Sequence, residues 1–276
     1  MKQRTITTLI IIVVMTAVLF LSKFIVYPIV LALLSLCAIF ELLKVLDYHK
    51  KLIASIPAYC IAVAAPIVAY FGKNMGYENF IVTAGTTMFA FLMYLFVVSI
   101  IECGKFRFSE ISAVFVSVLY VSACFTSLCL LRYMENGLFN LGIVLVAAWL
   151  CDVGAYLVGS FMGKHKLIPS ISPKKTVEGS IGGIVVAILS CLLYGYIVTW
   201  FTDLVPNYLV LAICGFVLAI ISQLGDLIAS LIKREHGAKD YGNLLPGHGG
   251  IMDRFDSIIA ASIALLFIVS KATPFT

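Results

Sequence analysis

Long apolar runs dominate this chain and restrict its fold more than any other feature. A transmembrane helix needs about 20 mostly apolar residues, and nine segments of suitable length and hydropathy are present. They cover roughly residues 6–22, 24–43, 52–71, 80–101, 110–131, 138–163, 180–201, 207–232 and 255–271. The chain is 62% hydrophobic and 12% charged, whereas soluble domains are about 25% charged. We therefore expect it to reside in a lipid bilayer.

The length of these segments also determines their secondary structure. Backbone polar groups cannot stay unpaired in hydrocarbon, so only helices and closed barrels cross it, and barrel strands are about half as long. We predict an all-α polytopic integral membrane protein with about nine transmembrane helices. The start Met1-Lys2-Gln3-Arg4 would also suit a signal peptide, but the apolar run is long and no Ala-x-Ala cleavage pattern follows it.

Basic residues predict the orientation, because cytoplasmic loops carry an excess of Lys and Arg. With nine spans, 15 of the 19 Lys and Arg residues fall on the side of the N-terminus. Only Lys23, Lys73, Arg132 and Lys271 fall on the other side. The N-terminus is therefore predicted to be cytoplasmic and the C-terminus outside. The net charge of +5 then places a basic face beside anionic membrane lipids, and we expect no nucleic-acid partner.

Polarity is distributed unevenly along the chain. In residues 1–137 the spans carry almost no ionisable side chains, and we interpret this part as transmembrane scaffold. In residues 138–276 acids enter the spans and glycines cluster, so we predict the catalytic region there, within one continuous membrane domain. Seven of the eight cysteines fall in predicted spans without a CxxC pair, which indicates packing residues rather than disulfides or metal ligands.

Three carboxylates flank the loop between the last two predicted spans. Ser222, Asp226 and Ser230 repeat every four residues and share one helix face. Asp253 and Asp256 are three apart at the start of the ninth span. Converging carboxylates repel each other unless a cation neutralises them, and Mg²⁺ takes one or two carboxylates with water and phosphate oxygens. We predict that Asp226, Asp253 and Asp256 hold Mg²⁺; a structural salt bridge or a protonated Asp226 is the alternative.

Another acid, Asp152, lies in the sixth predicted span, one turn before Tyr156. Acids within membrane helices usually face a cavity rather than lipid. Asp152 either lines the same cavity as Asp226 from another helix or pairs with a basic residue such as Lys175. The sequence leaves both interpretations open.

The turn Pro246-Gly247-His248-Gly249-Gly250 precedes the ninth span and matches neither a P-loop nor a dinucleotide-binding turn. Its glycines permit positive φ and close backbone approach, so amides can point at a phosphate beside a helix N-terminus. A plain turn between helices is the alternative. His248 is interpreted as a phosphate or base contact, because Mg²⁺ prefers oxygen ligands.

Positive charge is concentrated around these acids. Arg and Lys together suit a triphosphate and a phosphomonoester, whereas anchoring residues lie at helix ends without a fixed motif. The candidate catalytic residues are Asp226, Lys233, Arg234, Lys239, Asp240, Asp253, Arg254 and Asp256. The candidate substrate-binding residues are Asp152, Ser172, Lys174, Lys175, Thr176, Glu178, Ser230, His248, Gly249 and Gly250.

Three blocks of the chain resemble the phosphatidate cytidylyltransferase (CDP-diacylglycerol synthase) family: Asp152–Tyr156, Ser172–Gly179 and Ser230–Asp256. The resemblance covers the C-terminal half, and the N-terminal half is similar only in hydrophobicity and length. It implies that a phosphate oxygen of phosphatidate attacks the α-phosphorus of CTP, giving CDP-diacylglycerol and pyrophosphate. It also implies a second, monovalent cation such as K⁺, a homodimer, and a location in the cell membrane of a bacterium with the active site facing the cytoplasm.

A cation- or proton-coupled transporter is the alternative from another class, because Asp152 and Asp226 would also serve a carrier. Two features oppose it: the sequence has no inverted repeat, and the motifs concentrate on one predicted side.

Overall fold

The protein is described by a computed structural model that covers residues 18–19, 21–72, 77–244, 247 and 249–276. All but four residues of the predicted span 6–22 lie outside these ranges, as does His248. The chain divides into two compact units. Unit 1 contains the described residues up to Tyr133 together with Ala238–Arg254, and unit 2 contains Met134–Gly237 and Phe255–Thr276.

Eight α-helices of 18 to 28 residues make up most of the described chain. They are α1 (Val26–Val45), α2 (Leu52–Gly72), α3 (Tyr77–Ile101), α4 (Phe108–Tyr133), α5 (Gly137–Met162), α6 (Val177–Phe201), α7 (Tyr208–Glu235) and α8 (Met252–Val269). One turn of 3-10 helix, Leu21–Lys23, precedes α1. Each helix coincides with one predicted span, and the largest differences at the ends are three residues, as at 80 against Tyr77.

Seven of these helices, α1 to α7, are long and apolar enough to cross a membrane. The eighth, α8, carries Asp253, Arg254 and Asp256 within its first five residues and corresponds to the ninth predicted span. The described chain therefore has the helix lengths and composition of a polytopic membrane protein. The number of nine spans and the orientation of the two termini stay predictions.

In unit 1, α2 presents a stripe of alanines that packs against its neighbours. Ala54, Ala58 and Ala62 recur every four residues and are at most 1% exposed. Helices α1 and α4 pack on α2. Because hydrocarbon gives no hydrophobic drive for association, small residues that let backbones approach closely are typical of such interfaces.

In unit 2, glycines let α5 and α6 approach closely. A Cβ on Gly179 would lie 2.7 Å from the Ala155 carbonyl oxygen, and a Cβ on Gly183 would lie 2.8 Å from the Cys151 carbonyl oxygen. Neither position could carry a side chain without a shift of backbone. The spacing of four residues between small residues thus serves helix packing here.

A short antiparallel hairpin joins α5 to α6 in the described chain, which is otherwise helical as predicted. Its strands are β1 (Lys166–Ile168) and β2 (Ser172–Thr176), with Lys166 opposite Thr176 and Ile168 opposite Ser172. No alternation of apolar and polar residues marks these two strands in the sequence. A two-stranded ribbon has a free edge on each strand, so Pro173 is tolerated although it cannot donate a hydrogen bond.

The cysteines behave as packing residues, as predicted. All eight are free, and Cys124, Cys129, Cys151, Cys191 and Cys214 are buried. Only Cys60 and Cys103 are exposed.

Candidate active site

The central contact of unit 2 is an ion pair between the hairpin and α7. Lys175 Nζ on β2 lies 2.5 Å from Asp226 Oδ2, and both side chains are partly accessible. A charge pair within a helical membrane protein offsets part of the desolvation of each partner. This ion pair matches the alternative in which Asp226 forms a salt bridge. It also shows that Lys175 pairs with Asp226, and not with Asp152 alone.

Two more acids and one more base interact with this pair. The Asp152 carboxylate on α5 interacts electrostatically with Asp226 and Lys175. The Asp256 carboxylate on α8 interacts with Asp226, Asp152 and Lys233. We name Asp152, Lys175, Asp226, Lys233 and Asp256 the charged cluster. Four elements of unit 2 therefore bring together three acids and two lysines that are up to 104 positions apart (256 minus 152).

Burial differs between members of the charged cluster. Lys233 is 8% exposed and Asp256 is 7% exposed, whereas Asp152 lies on an exposed part of α5. Asp256 Oδ1 accepts hydrogen bonds from the Ser257 amide at 2.7 Å and from Ser257 Oγ at 3.3 Å. The cluster thus joins buried charges with an accessible acid, an arrangement typical of a site for a charged ligand.

The close approach of α7 and α8 depends on Gly225, the residue before Asp226. A Cβ at this position would lie 2.6 Å from the Asp256 carbonyl oxygen and 2.7 Å from Ala260 Cβ. Glycine therefore allows the backbones that carry Asp226 and Asp256 to come together. Gly225 was not predicted from the sequence, because its effect depends on a helix about 30 residues further along the chain.

A buried amide supports the cluster one turn earlier on α7. Gln223 is 7% exposed; its Oε1 accepts from Ser180 Oγ at 2.5 Å, and its Nε2 donates to the Ser180 carbonyl at 3.2 Å and to Cys151 Sγ at 3.4 Å. These bonds join α5, α6 and α7 directly beside Asp226. Gln223 was not predicted as a site residue, although a Gln inside an apolar helix is itself a signal of an interhelical hydrogen bond.

Two of the predicted substrate-binding residues have local structural partners. Thr176 is the N-cap of α6, and its Oγ1 accepts from the Gly179 amide at 3.1 Å. Glu178 accepts from the amides of Lys164 and His165 at 3.1 and 3.2 Å, and its Oε1 lies 2.6 Å from His165 Nδ1. Both side chains therefore hold the base of the hairpin against α6.

In unit 1, Asp253 organises the glycine-rich loop that precedes α8. Its Oδ2 accepts from the Tyr241 amide at 2.8 Å and from the Gly250 amide at 3.0 Å. Gly249 has a φ of 82°, a left-handed conformation that favours glycine. The Gly250 amide, which sequence analysis interpreted as a phosphate donor, thus has an acceptor within the protein.

The same loop contacts an acid that sequence analysis missed. Glu41 on α1 is 5% exposed and accepts from the amides of Ile251 at 3.1 Å and Met252 at 2.9 Å. Glu41 lies inside the predicted span 24–43, within the part interpreted as scaffold. An ionisable residue in an otherwise apolar span is the signal that could have identified it.

The other predicted residues lie at accessible positions. Ser172 and Ser230 are half-buried, and Lys174, Arg234, Lys239, Asp240 and Arg254 are exposed. The described residues contain no group of three His, Cys, Asp or Glu side chains arranged to hold a metal ion. The predicted site of Asp226, Asp253 and Asp256 therefore stays a prediction.

Helices of membrane-spanning length around a cluster of acids and lysines define a membrane protein that handles a charged substrate. The chain belongs to the cytidylyltransferase family, which it matches over residues 2–271. A phosphatidate cytidylyltransferase of Bacillus subtilis (strain 168) is 34% identical over 280 residues, covering 98% of each chain. Phosphatidate cytidylyltransferases of Staphylococcus epidermidis and Staphylococcus aureus (strain COL) are 36% and 35% identical over 259 residues, covering 94% of this chain and 95% of each relative.

These matches extend the likeness beyond the motifs of the C-terminal half. They include α1 to α4 of unit 1, where the sequence motifs had indicated similarity only in hydrophobicity and length.

Proposed function

We propose that this protein transfers the cytidylyl group of CTP to phosphatidate, forming CDP-diacylglycerol and releasing pyrophosphate. A phosphate oxygen of phosphatidate forms a new bond to the α-phosphorus of CTP. The bond from that phosphorus to the oxygen leading to the β-phosphorus breaks, and its electron pair leaves with pyrophosphate. The lipid phosphate is itself the nucleophile, so the protein has to position the reactants and stabilise charge rather than supply an attacking group.

The observation that carries this proposal is the near full-length similarity to phosphatidate cytidylyltransferases, at 34–36% identity over 94–98% of the chain. The charged cluster supports it, because two anionic substrates require positive charge near the lipid. In this proposal Lys175 and Lys233 bind phosphate oxygens, and exposed Arg234, Lys239 and Arg254 attract CTP from the aqueous side. The family and the relatives give the transporter alternative no support.

We propose Mg²⁺ as the cofactor, held by Asp226, Asp256 and the predicted third ligand Asp253. The donor chemistry fits, since carboxylate oxygens are the ligands that Mg²⁺ prefers and it completes its shell with water and phosphate oxygens rather than a full protein cage. When bound, the ion would neutralise negative charge on the nucleotide phosphates. The family resemblance adds a monovalent cation such as K⁺ and a homodimer to the proposal.

The test uses CTP labelled either at the α- or at the γ-phosphate, with purified protein, phosphatidate and Mg²⁺. Cytidylyl transfer puts the α label into chloroform-soluble lipid and releases the γ label as pyrophosphate. Label in the lipid from γ-labelled CTP would indicate a phosphotransferase, and label from neither would refute the proposal. Diacylglycerol in place of phosphatidate is the matched control and should give no product, because it lacks the attacking phosphate.

We also propose that the motifs face the cytoplasm of a bacterial cell. A single cysteine at Lys239 should then react with an impermeant thiol reagent only from the cytoplasmic side, and one at Thr273 only from outside. Both positions are exposed. Exposed Cys60 and Cys103 are first replaced by Ser to remove background labelling. Labelling of both positions from one side would contradict the nine-span topology.

A further inference from the structure

Glu41 contacts the glycine-rich loop of unit 1 although it is far from that loop in the sequence. It lies one turn before the end of α1, and its two carboxylate oxygens each accept one backbone hydrogen bond, from residues 210 and 211 positions later. The side chain is almost fully buried. A buried carboxylate is costly unless its oxygens are satisfied, so this contact must form for the loop and α1 to pack.

The start of α8 explains why an acid is needed there. The first amides of any helix lack partners within the helix, and Ser, Thr, Asp or Asn usually accepts from them at the N-cap. The residue before Met252 is Ile251, which has no acceptor in its side chain. Glu41 takes the place of a local cap, and its negative charge suits the positive end of the helix dipole.

The same carboxylate also fits tightly against two glycines. A Cβ on Gly242 would lie 2.5 Å from Glu41 Oε1, and a Cβ on Gly250 would overlap both Glu41 oxygens. From the other side, Asp253 Oδ2 accepts from the amides of Tyr241 and Gly250. Two carboxylates therefore fix both ends of the loop and leave no room for a larger residue at either glycine.

We infer that Glu41 is a positioning residue for cytidylyl transfer. It fixes the first turn of α8, which carries Asp253 and, one turn further, Asp256, and it acts on the reaction through them rather than by touching substrate. The inference rests on the proposed function. It also gives α1, which the sequence had indicated to be scaffold, a part in holding the first residues of α8.

The test compares Glu41→Gln with Glu41→Asp. Gln keeps the size of the side chain but turns an NH₂ group towards an amide N–H, so one charge-assisted hydrogen bond is lost and kcat should fall roughly 10- to 100-fold. Because the loss concerns arrangement in the transition state, kcat and kcat/KM for CTP should fall together. Glu41→Asp keeps the charge and should recover part of the rate.

Hydrogen exchange supplies the readout that does not depend on activity. At least one of the amides of Ile251 and Met252 should exchange about tenfold faster in Glu41→Gln, since Gln has one oxygen acceptor where Glu has two. The matched control is Ser35→Ala, another buried polar residue of α1, whose hydroxyl makes no hydrogen bond to any residue that the structure describes. It should change neither kcat nor exchange at these amides.

The outcomes separate this inference from the proposed function. If the unchanged protein makes no CDP-diacylglycerol, the proposed function is wrong. If it does make this product, and Glu41→Gln keeps full kcat although the loop amides exchange faster, Glu41 has a structural role only. Unchanged exchange at Ile251 and Met252 would refute the contact itself. If neither Glu41 variant folds, Gly242→Ala replaces them in the test. Its new Cβ crowds Glu41 Oε1 while the carboxylate itself is kept, and an unchanged kcat in this variant would overturn the inference.

Discussion

Two groups of acids, Glu41 and Asp253 in unit 1 and the acids of the charged cluster in unit 2, are satisfied in different ways. In unit 1, Glu41 and Asp253 accept from backbone amides that belong to one loop. In unit 2, Asp226 faces Lys175, and Asp152 and Asp256 interact with the same charges. The first kind of contact holds backbone in place, and the second holds side-chain charges that a ligand could compensate.

This difference assigns different tasks to acids that look alike in the sequence. A backbone amide is part of its loop, so losing the acid that accepts from it disturbs that loop. A lysine can exchange a carboxylate for a substrate phosphate, since both are anionic oxygen acceptors. We therefore expect variants of the charged cluster to lose chemistry directly, and variants of capping residues to lose order or stability, with activity falling only where the capped helix carries a site residue, as for Glu41.

The largest expected effect comes from the acids of the charged cluster. Asp226→Asn and Asp256→Asn should each reduce labelled CDP-diacylglycerol to background at any Mg²⁺ concentration, because an amide removes the negative charge that a divalent ion requires. Asp203→Asn is the control, since Asp203 is an exposed acid in the loop between α6 and α7. Near-normal turnover in either cluster variant would remove that acid from the metal site.

Lys175 is expected to have the next largest effect. Loss of a charge-assisted contact of about 1.5–3 kcal/mol corresponds to roughly 10- to 150-fold, and Lys175→Gln should reduce turnover within that range. Lys174 is exposed on the same strand, and Lys174→Gln tests whether both lysines of the motif contribute to turnover. Lys50→Gln is the matched control; Lys51 is unsuitable because its Nζ forms an ion pair with Glu110 at 2.8 Å.

A double variant separates phosphate binding from simple pairing. If Lys175 serves only to neutralise Asp226, Lys175→Gln with Asp226→Asn should be more active than either single variant, with a large coupling energy. If both residues contact ligands, the double variant should be as inactive as the worse single variant. Turnover measured in these four proteins decides between the two.

The helices of this protein could be predicted from the sequence because apolar length alone determines them. All eight described helices coincide with predicted spans. The hairpin β1–β2 could not, since Ser172, Pro173 and Lys174 have neither the alternation nor the composition of a strand. Its pairing depends on the ends of α5 and α6, which bring the two short segments together.

The candidate site was predictable where charge stands out against apolar surroundings, as at Asp152, Lys175 and Asp226. Glu41 and Gly225 were missed because their roles depend on partners far along the chain. One caps a helix more than 200 positions later, and the other makes room for a neighbouring backbone. Glu41 could have been noticed as an ionisable residue in an apolar span, but no local pattern shows which distant partner such an acid, or a helix glycine, contacts.

Gly225→Ala should have a smaller effect than loss of a cluster charge. The new Cβ would lie 2.6 Å from the Asp256 carbonyl oxygen, so α7 and α8 must separate, at a cost of about 1–3 kcal/mol. A lower thermal midpoint, followed by a dye that reacts with newly exposed thiols, and reduced kcat are expected together. Gly85→Ala is the control, because no atom of the described residues lies within 4 Å of a Cβ placed there; equal midpoints in both variants would contradict the tight contact.

Thr176 should have the smallest effect, and it tests whether a motif residue serves structure or substrate. Its Oγ1 caps α6 through the Gly179 amide at 3.1 Å, and replacing an N-cap Thr by Ala costs about 1 kcal/mol. Thr176→Ala should therefore lower the thermal midpoint while kcat/KM at a permissive temperature changes little, and Thr176→Ser should retain both because it keeps the acceptor. A loss of kcat/KM above about tenfold, or 1.4 kcal/mol, without a change in midpoint would instead place the hydroxyl on a substrate phosphate. Thr176 would then belong with the charged cluster rather than with the capping residues.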